Sequence, residues 1–457
     1  MALGRGAREA LGALARDRNY LALWIGQFVS IFGDRFTYLA LLAVVLARAR
    51  DPGNPAAELA LLPLFSFLPT ILFGPWIGAV VDRSDTRRVL IGSDAARGLA
   101  VLAMIPATLL GGLPALFALV FALYVANTFF LPARSAIMPL LVAPEHLTEA
   151  NSLATFAGVA ATIAGSLIAG FLIDRFGWQW GFVLDAATYF VSVGFLWRIR
   201  LGPRESGAAA IGGGEAFGRF VSPSLREGSQ APDGFPPPIA AAADLPEPAS
   251  QRYRKLGHEI REGFTILLGT PRAWWVTIAV MLLWMAGGVL HVSVPVLIGR
   301  GGHVASGVGT LLAAAALGMV AGTLGLALRG RGGSAGVRLA IGLLGTGAAL
   351  ALFAVVPPGG AMLAAAFVAG VFVAMLLVTS ETALQEAIAP EARGRVFALR
   401  DMAARIAVLA TAGIAGWVVA RGFPPRTAVI AAGALLGAAG LVGLVLGTER
   451  VGRLGRR

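Results

Sequence analysis

The sequence predicts an all-α membrane protein of twelve transmembrane helices arranged as two six-helix, pseudo-symmetric halves. Three observations lead there. Of 457 residues, 57% are hydrophobic and only 14% charged, whereas a soluble domain carries about 25% charged residues. The chain therefore has too little polar surface to cover itself in water. Its apolar residues fall into long runs, and twelve spans of about 22 residues account for nearly all of them. Short segments also recur at a nearly fixed offset. Ala143-Pro144-Glu145 returns as Ala389-Pro390-Glu391, Ala169-Gly170 as Ala415-Gly416, and Gly78 pairs with Gly325. Such a repeat is expected of two halves related by an axis along the membrane normal.

Apolar runs bounded by charge, glycine or proline place the first six spans near 19–47, 58–81, 89–110, 114–133, 151–173 and 178–198. The second six lie near 273–298, 304–328, 335–356, 361–388, 396–420 and 426–447. The first run lacks a small-residue cleavage site and is too long for a signal-peptide core, so it reads as a retained span. The expected organisation is an N-terminal half over 1–200, a cytoplasmic linker over 201–272 and a C-terminal half over 273–457. Residues 201–250 hold eight Pro and eight Gly, a composition expected to stay disordered. Between Arg252 and Leu268 the apolar positions Ile260, Phe264, Leu267 and Leu268 recur at helical spacing. That segment reads either as an amphipathic surface helix or as an extension of span seven.

The net charge of +12 raises the question of nucleic acid, and the positions of the basic residues answer it. With twelve spans and both termini on one side, 29 of the 37 basic residues fall on that side, six on the other, and Arg35 and Arg97 within spans. Such a bias marks the cytoplasmic face. The expected location is a bacterial-type inner membrane with both termini cytoplasmic, and no nucleic-acid partner. The absence of Cys excludes a thiolate metal site, a disulfide scaffold and a cysteine nucleophile. No phosphate-cradling loop suggests nucleotide hydrolysis, and neither enzymatic activity nor a cofactor is expected.

The loop after span two reads Gly78-Ala-Val-Val-Asp82-Arg83-Ser-Asp85-Thr-Arg87-Arg88. It resembles the GxxxDRxxRR signature of the major facilitator superfamily, in the loop where that superfamily carries it. The resemblance implies a cytoplasmic gate in which Gly78 permits close helix approach and Asp82, with Arg83, Arg87 and Arg88, bridges the halves near the start of span eleven. The alternative is that these arginines only set topology. At the equivalent place in the second half, Gly325-Leu-Ala-Leu-Arg329 has lost the acid. Gly26-Gln27 through Gly33-Asp34-Arg35, Ser93-Asp94-Ala-Ala-Arg97, Pro132-Ala-Arg134 through Pro139, Leu147 through Asn151, and Gln385 through Val396 resemble one branch of exporters within that superfamily. Span five has Gly158, Gly165 and Gly170 but not the Gly-Pro signature of many drug/proton antiporters.

Charges within spans carry the expected mechanism. Asp34 lies 14 residues past Tyr20, about 21 Å along a helix. An ionised carboxylate at that depth costs roughly 2.5 to 3.5 kcal/mol on insertion scales, so it must face a cavity, find a partner or take up a proton. Proton coupling and a structural pair with Arg35 or Arg97 are both open to it. Arg35, rotated about 100° from Asp34 on a helix, is the poorer partner. Gln27, Asn127, Asp185, Glu381 and Gln385 are further candidates for the substrate or proton path. Asp94 and Arg97, three residues apart, are expected to pair near the start of span three, either in support of the gate or as a simple local salt bridge. The expected function is export of an amphipathic or hydrophobic small molecule by alternating access, in exchange for protons. Aromatic residues such as Phe28, Phe32, Tyr38, Phe65, Phe67 and Trp284 favour such a cargo. A lysolipid flippase and a non-transporting scaffold or sensor are the alternatives, and a monomer is expected.

Overall fold

The computed structural model describes residues 12–51, 54–81, 83–200, 261–299, 303–329 and 334–454. Twelve long helices run through them: α1 Arg18–Arg48, α2 Ala56–Val81, α3 Thr86–Leu110, α4 Gly112–Leu141, α5 Leu147–Phe176, α6 Trp178–Leu196, α7 Pro271–Gly299, α8 Val304–Arg329, α9 Ala335–Val355, α10 Gly360–Ala387, α11 Pro390–Ala420 and α12 Pro425–Leu454. Eleven are long and apolar enough to cross a bilayer. The exception, α6, has 19 residues and includes Gln179, Asp185 and Tyr189, yet it packs between α1 and α3 as a member of the same bundle.

Local chemistry sets the ends. Asp17 caps α1 by accepting from the backbone N–H groups of Asn19 and Tyr20 at 2.8 and 2.9 Å, the usual task of an acidic N-cap. Asp85 does the same for α3, accepting from Arg88 N–H at 3.0 Å. The one-residue link between α5 and α6 is Gly177 with φ 98°, a backbone region that glycine enters without steric cost.

The span limits expected from sequence are short at several places. Helix α4 continues eight residues past 133, through Pro139, because neighbouring helices in a bundle satisfy the groups that a proline frees. Helix α11 begins at Pro390 rather than 396, since a first-turn proline loses no hydrogen bond. Within the linker, 201–260 lies outside the described residues. Residues 261–269 are helical, with Leu267 buried and Phe264 and Leu268 exposed. Glu262 pairs with Arg395 at 2.9 Å, tying this segment to α11.

The helix packing is two-fold. Each pair in the first half has its counterpart six helices on: α1–α6 and α7–α12, α1–α5 and α7–α11, α3–α4 and α9–α10, α3–α6 and α9–α12, α2–α4 and α8–α10. The halves meet chiefly through α2 against α11 and α5 against α8, which the same operation exchanges. Because consecutive helices alternate in direction, one end of the bundle is rich in arginine and the other poor.

The two ends differ in closure. At the arginine-poor end one apolar core runs across both halves, joining Phe36, Leu39 and Ala169 to Val292, Ala305, Ala412 and Val419. At the arginine-rich end the first half has its own core, including Leu23, Ile77, Leu90 and Ile137, separate from the core of the second half. A Cβ placed on Gly78 or Gly325, near that end, would meet nothing within 4 Å. The bundle is therefore shut at the arginine-poor end and parted at the other.

Candidate transport site

Helix α1 brings two oppositely directed charges to mid-length. Gly33 lies so close to α6 that a Cβ there would strike Thr188 Oγ1 and Asp185 Oδ1. This contact allows Asp34 to accept from the Tyr189 hydroxyl at 2.5 Å. Arg35 leans the other way, where a Cβ on Gly165 of α5 would lie 2.9 Å from its Cγ. Neighbours on a helix diverge by about 100°, and the two side chains accordingly serve different interfaces.

Tyr189 connects Asp34 to a buried ion pair. Arg97 and Asp94 bond directly, and both are almost wholly enclosed. Ser192 Oγ donates to the second oxygen of Asp94 at 2.6 Å, and Arg97 Nη1 donates to Asn127 Oδ1 at 3.3 Å. The guanidinium carbon lies 4.1 Å from the Phe130 ring centroid and 4.6 Å from that of Tyr189. A buried charge pair is tolerated only when its remaining donors and acceptors are satisfied, and the Ser192, Asn127 and aromatic contacts supply much of this.

Asp185 completes the layer. It is fully buried, and Thr188 Oγ1 donates to its Oδ1 at 3.2 Å. Three carboxylates (Asp34, Asp94, Asp185) thus occupy the same half as two guanidinium groups (Arg35, Arg97). One added proton would make this set neutral. The chemistry available is proton uptake and release at a carboxylate whose partners lie on neighbouring helices.

Other candidates lie elsewhere. Gln27 is buried with Nε2 unpartnered. Glu381 belongs to a separate ion-pair cluster in the second half. There Arg400 Nη2 donates to Glu381 at 2.8 Å and to Asp401 at 2.9 Å, while Gln385 is exposed one turn on. Arg400 itself is buried. It is grouped by sequence with the basic residues of the arginine-rich side, yet it falls inside the span expected from 396 onward. Tyr189 and Ser192 follow Asp185 at helical spacing on α6.

One reading of the Asp94–Arg97 pair, support of the gate, needs correction. Asp94 lies eight residues past Thr86, about 12 Å into α3. The Asp94–Arg97 pair is thus part of the buried layer with Asp34, not of a surface network with the 83–88 loop, because α3 packs its inner face on α4 and α6. In that loop Arg87 binds its own half, donating to the carbonyls of Trp197 and Leu196 at 2.6 and 3.3 Å. Arg88 pairs with Asp85 at 3.6 Å and Arg83 is exposed. Asp82 lies outside the described residues.

At the arginine-poor end the halves are bonded. Asp174 of α5 accepts from Ala305 N–H at 3.2 Å, Ser306 N–H at 2.9 Å and Ser306 Oγ at 2.5 Å. Asn54 Nδ2 donates to Val419 O at 2.8 Å, and Tyr38 Oη and His291 Nδ1 lie 3.4 Å apart. Deeper in, the Arg405 guanidinium carbon lies 5.5 Å from the Phe67 ring centroid. At the open end, a cavity of about 610 Å³ is lined by Leu131, Pro132, Arg134, Ser135, Met138 and Asn151, among others.

Two six-helix halves, shut across one end and parted at the other around a mid-depth polar layer, define a membrane carrier of the secondary-transporter class. A model of the Major Facilitator Superfamily matches residues 23–338, and the chain belongs to that superfamily. Macrolide efflux protein A of Streptococcus pyogenes is 31% identical over 134 residues, 29% of this chain and 32% of that protein. The putative bacilysin exporter BacE of Bacillus subtilis is 30% identical over 186 residues, 40% and 44% of the two chains. An uncharacterized MFS-type transporter of Mycobacterium tuberculosis is 33% identical over 190 residues, 40% and 42%. The matches thus span less than half the length of each of these relatives. Among solved structures, a mutant of the nucleoside transporter NupG superposes with TM-score 0.66 at 13% identity, over 94% of this chain and 98% of that one. A bacterial homologue of the iron transporter ferroportin in its inward-facing state gives 0.65 at 15% identity, over 94% and 99%. These structural likenesses concern the fold.

Proposed function

We propose that this transporter exports an amphipathic or hydrophobic small molecule by alternating access, driven by proton exchange at Asp34. The carrying observation is the placement of Asp34 at mid-length of α1. It is partly exposed and bonded to Tyr189, whose ring lies against Arg97 of the buried Asp94 pair. A proton on Asp34 turns the charge-assisted bond from Tyr189 into a weaker neutral one and removes one charge from the layer. Opening to one side and then the other exposes that carboxylate to different proton activities, and each charge moved draws about 2.3 kcal/mol per 100 mV from the membrane potential. In this reading the arginine-rich end is cytoplasmic, both termini lie there, the membrane is a bacterial inner membrane, and the carrier acts as a monomer. The efflux-named relatives support export.

The test is proton flux in proteoliposomes of the full chain against a panel of macrolides, peptide antibiotics, siderophores and lysolipids. Cargo-dependent proton movement that is lost in Asp34→Asn supports the proposal. Transport of a cargo with no accompanying proton flux overturns the coupling, and activity restricted to lysolipids reassigns the protein as a flippase.

A further inference from the structure

The close approach at the arginine-poor end repeats, at another place in the chain, the pattern of the 78–83 loop. Helix α5 ends Gly170-Phe-Leu-Ile-Asp174-Arg175, which has the Gly-x-x-x-Asp-Arg spacing of Gly78 through Arg83 at the end of α2. Helix α11 ends Gly416-Trp-Val-Val-Ala420-Arg421, and α8 reads Gly325-Leu-Ala-Leu-Arg329. All four helices lie at the two interfaces between the halves. The glycine thus recurs in all four, while the acid survives only in the first half.

In this conformation the four sites divide by side. A Cβ on Gly170 would lie 2.7 Å from Ala305 O and Ser306 Cα, and one on Gly416 would lie 2.6 Å from Ala60 Cβ and 2.9 Å from Ala56 O. Both glycines are therefore where a facing helix start comes to rest. The same construction on Gly78 and Gly325 meets nothing within 4 Å. At the closed α5–α8 crossing, Asp174 accepts the first N–H groups and the Ser306 hydroxyl of α8. A carboxylate there satisfies donors that a helix start leaves unpaired and meets the positive end of its dipole. His303 Nδ1 lies 3.9 Å from the same carboxylate. Where the acid is missing, at α11–α2, the closed contact is held by Asn54 on the Val419 carbonyl.

We propose that Asp174 is the gating residue of the arginine-poor side, and that the carrier opens that side by withdrawing the α8 start from this carboxylate. In the present state the Gly170–Asp174 site is engaged and the Gly78 site is vacated. Closing the arginine-rich end seats the α11 start on α2 and draws the α8 start away from α5. Because α2 and α5 belong to the first half and α8 and α11 to the second, a rigid rocking motion cannot seat both facing helix starts at once. The proposal rests on alternating access, but its readout is conformational and requires neither cargo nor a proton gradient.

The absence of cysteine makes the test direct. Spin labels at Trp180→Cys and Phe423→Cys, both exposed and on opposite halves at the arginine-poor end, report its opening as an inter-label distance. In the purified full chain, Asp174→Ala should raise the population at the longer distance about five- to thirtyfold, as expected for losing a charged helix cap. Ser306→Ala should do so by less, and Asp82→Ala should move the population the opposite way. Asp174→Asn, which retains the shape, serves if the alanine variant does not fold. An unchanged distance distribution in folded Asp174 variants overturns the proposal, as does a shift in the same direction for Asp174 and Asp82 variants.

Discussion

The Tyr189 hydroxyl donates to Asp34 at 2.5 Å, and the ring of the same tyrosine lies 4.6 Å from the guanidinium carbon of Arg97. One side chain of α6 thus links the mid-helix carboxylate of α1 to the ion pair of α3. Removing the hydroxyl while keeping the ring separates its two tasks. Tyr189→Phe is expected to shift the pH midpoint of proton-driven export while leaving folded yield near that of the wild type. The check is initial transport rate against pH in proteoliposomes; an unchanged profile would place the proton elsewhere.

Asp34→Asn keeps the shape of the side chain and removes its charge. If Asp34 couples the proton as proposed, gradient-driven export falls at least tenfold, with cargo binding in the absence of a gradient within about threefold of wild type, because the loss then lies in coupling and not in uniform binding. Equilibrium binding and gradient-driven flux, measured on the same preparation, separate these. Equal losses in both would make Asp34 a cargo contact.

The Asp94–Arg97 pair is a matter of stability. Arg97→Ala leaves Asp94 buried without its cation and is expected to cost about 3 to 5 kcal/mol. Ser192→Ala removes one hydrogen bond and should cost about 1 kcal/mol. Thermal unfolding in detergent should rank them in that order, and an Arg97→Ala protein as stable as Ser192→Ala would contradict the buried-pair reading.

The second-half cluster responds differently. Arg400 is buried between two acids, so Glu381→Gln leaves Asp401 as its partner and should cost about 1 kcal/mol, whereas Arg400→Ala should cost more. If Glu381→Gln abolishes export at normal stability, Glu381 acts in transport itself.

Helix crossings give a contrast between two glycines. A Cβ at Gly318 of α8 would run into the Phe367 carbonyl of α10, while one at Gly194 of α6 meets nothing within 4 Å. Gly318→Val should lower the thermal midpoint by several degrees, and Gly194→Ala should leave it unchanged or raise it, as replacing an unhindered helix glycine contributes about 0.5 to 1 kcal/mol.

Much of the fold is legible in the sequence because hydropathy and helix periodicity act along the chain. Asp34, Asp185 and the Asp94–Arg97 spacing stand out as charges in apolar runs. Tyr189 does not, because a tyrosine in a span is common and its partner is 155 residues away. Sequence reasoning puts Asp94 too near the surface for a related reason: distance along a helix can be counted, but the face that neighbouring helices cover cannot. Asp174 carries the Gly-x-x-x-Asp-Arg spacing in its own segment, but nothing there announces that the start of α8 will rest on it.

The amino-acid sequence by itself determined that the chain lives in a membrane, how many helices cross it and which helix ends share a side, since apolar length and arginine position are properties of each segment alone. Only the tertiary structure decided that Asp34, Asp94 and Asp185 share one half-bundle interior and that the arginine-poor end is the one shut. Those outcomes depend on α1, α3 and α6 converging and on Gly170 admitting the backbone of Ala305, contacts between segments that no local pattern encodes.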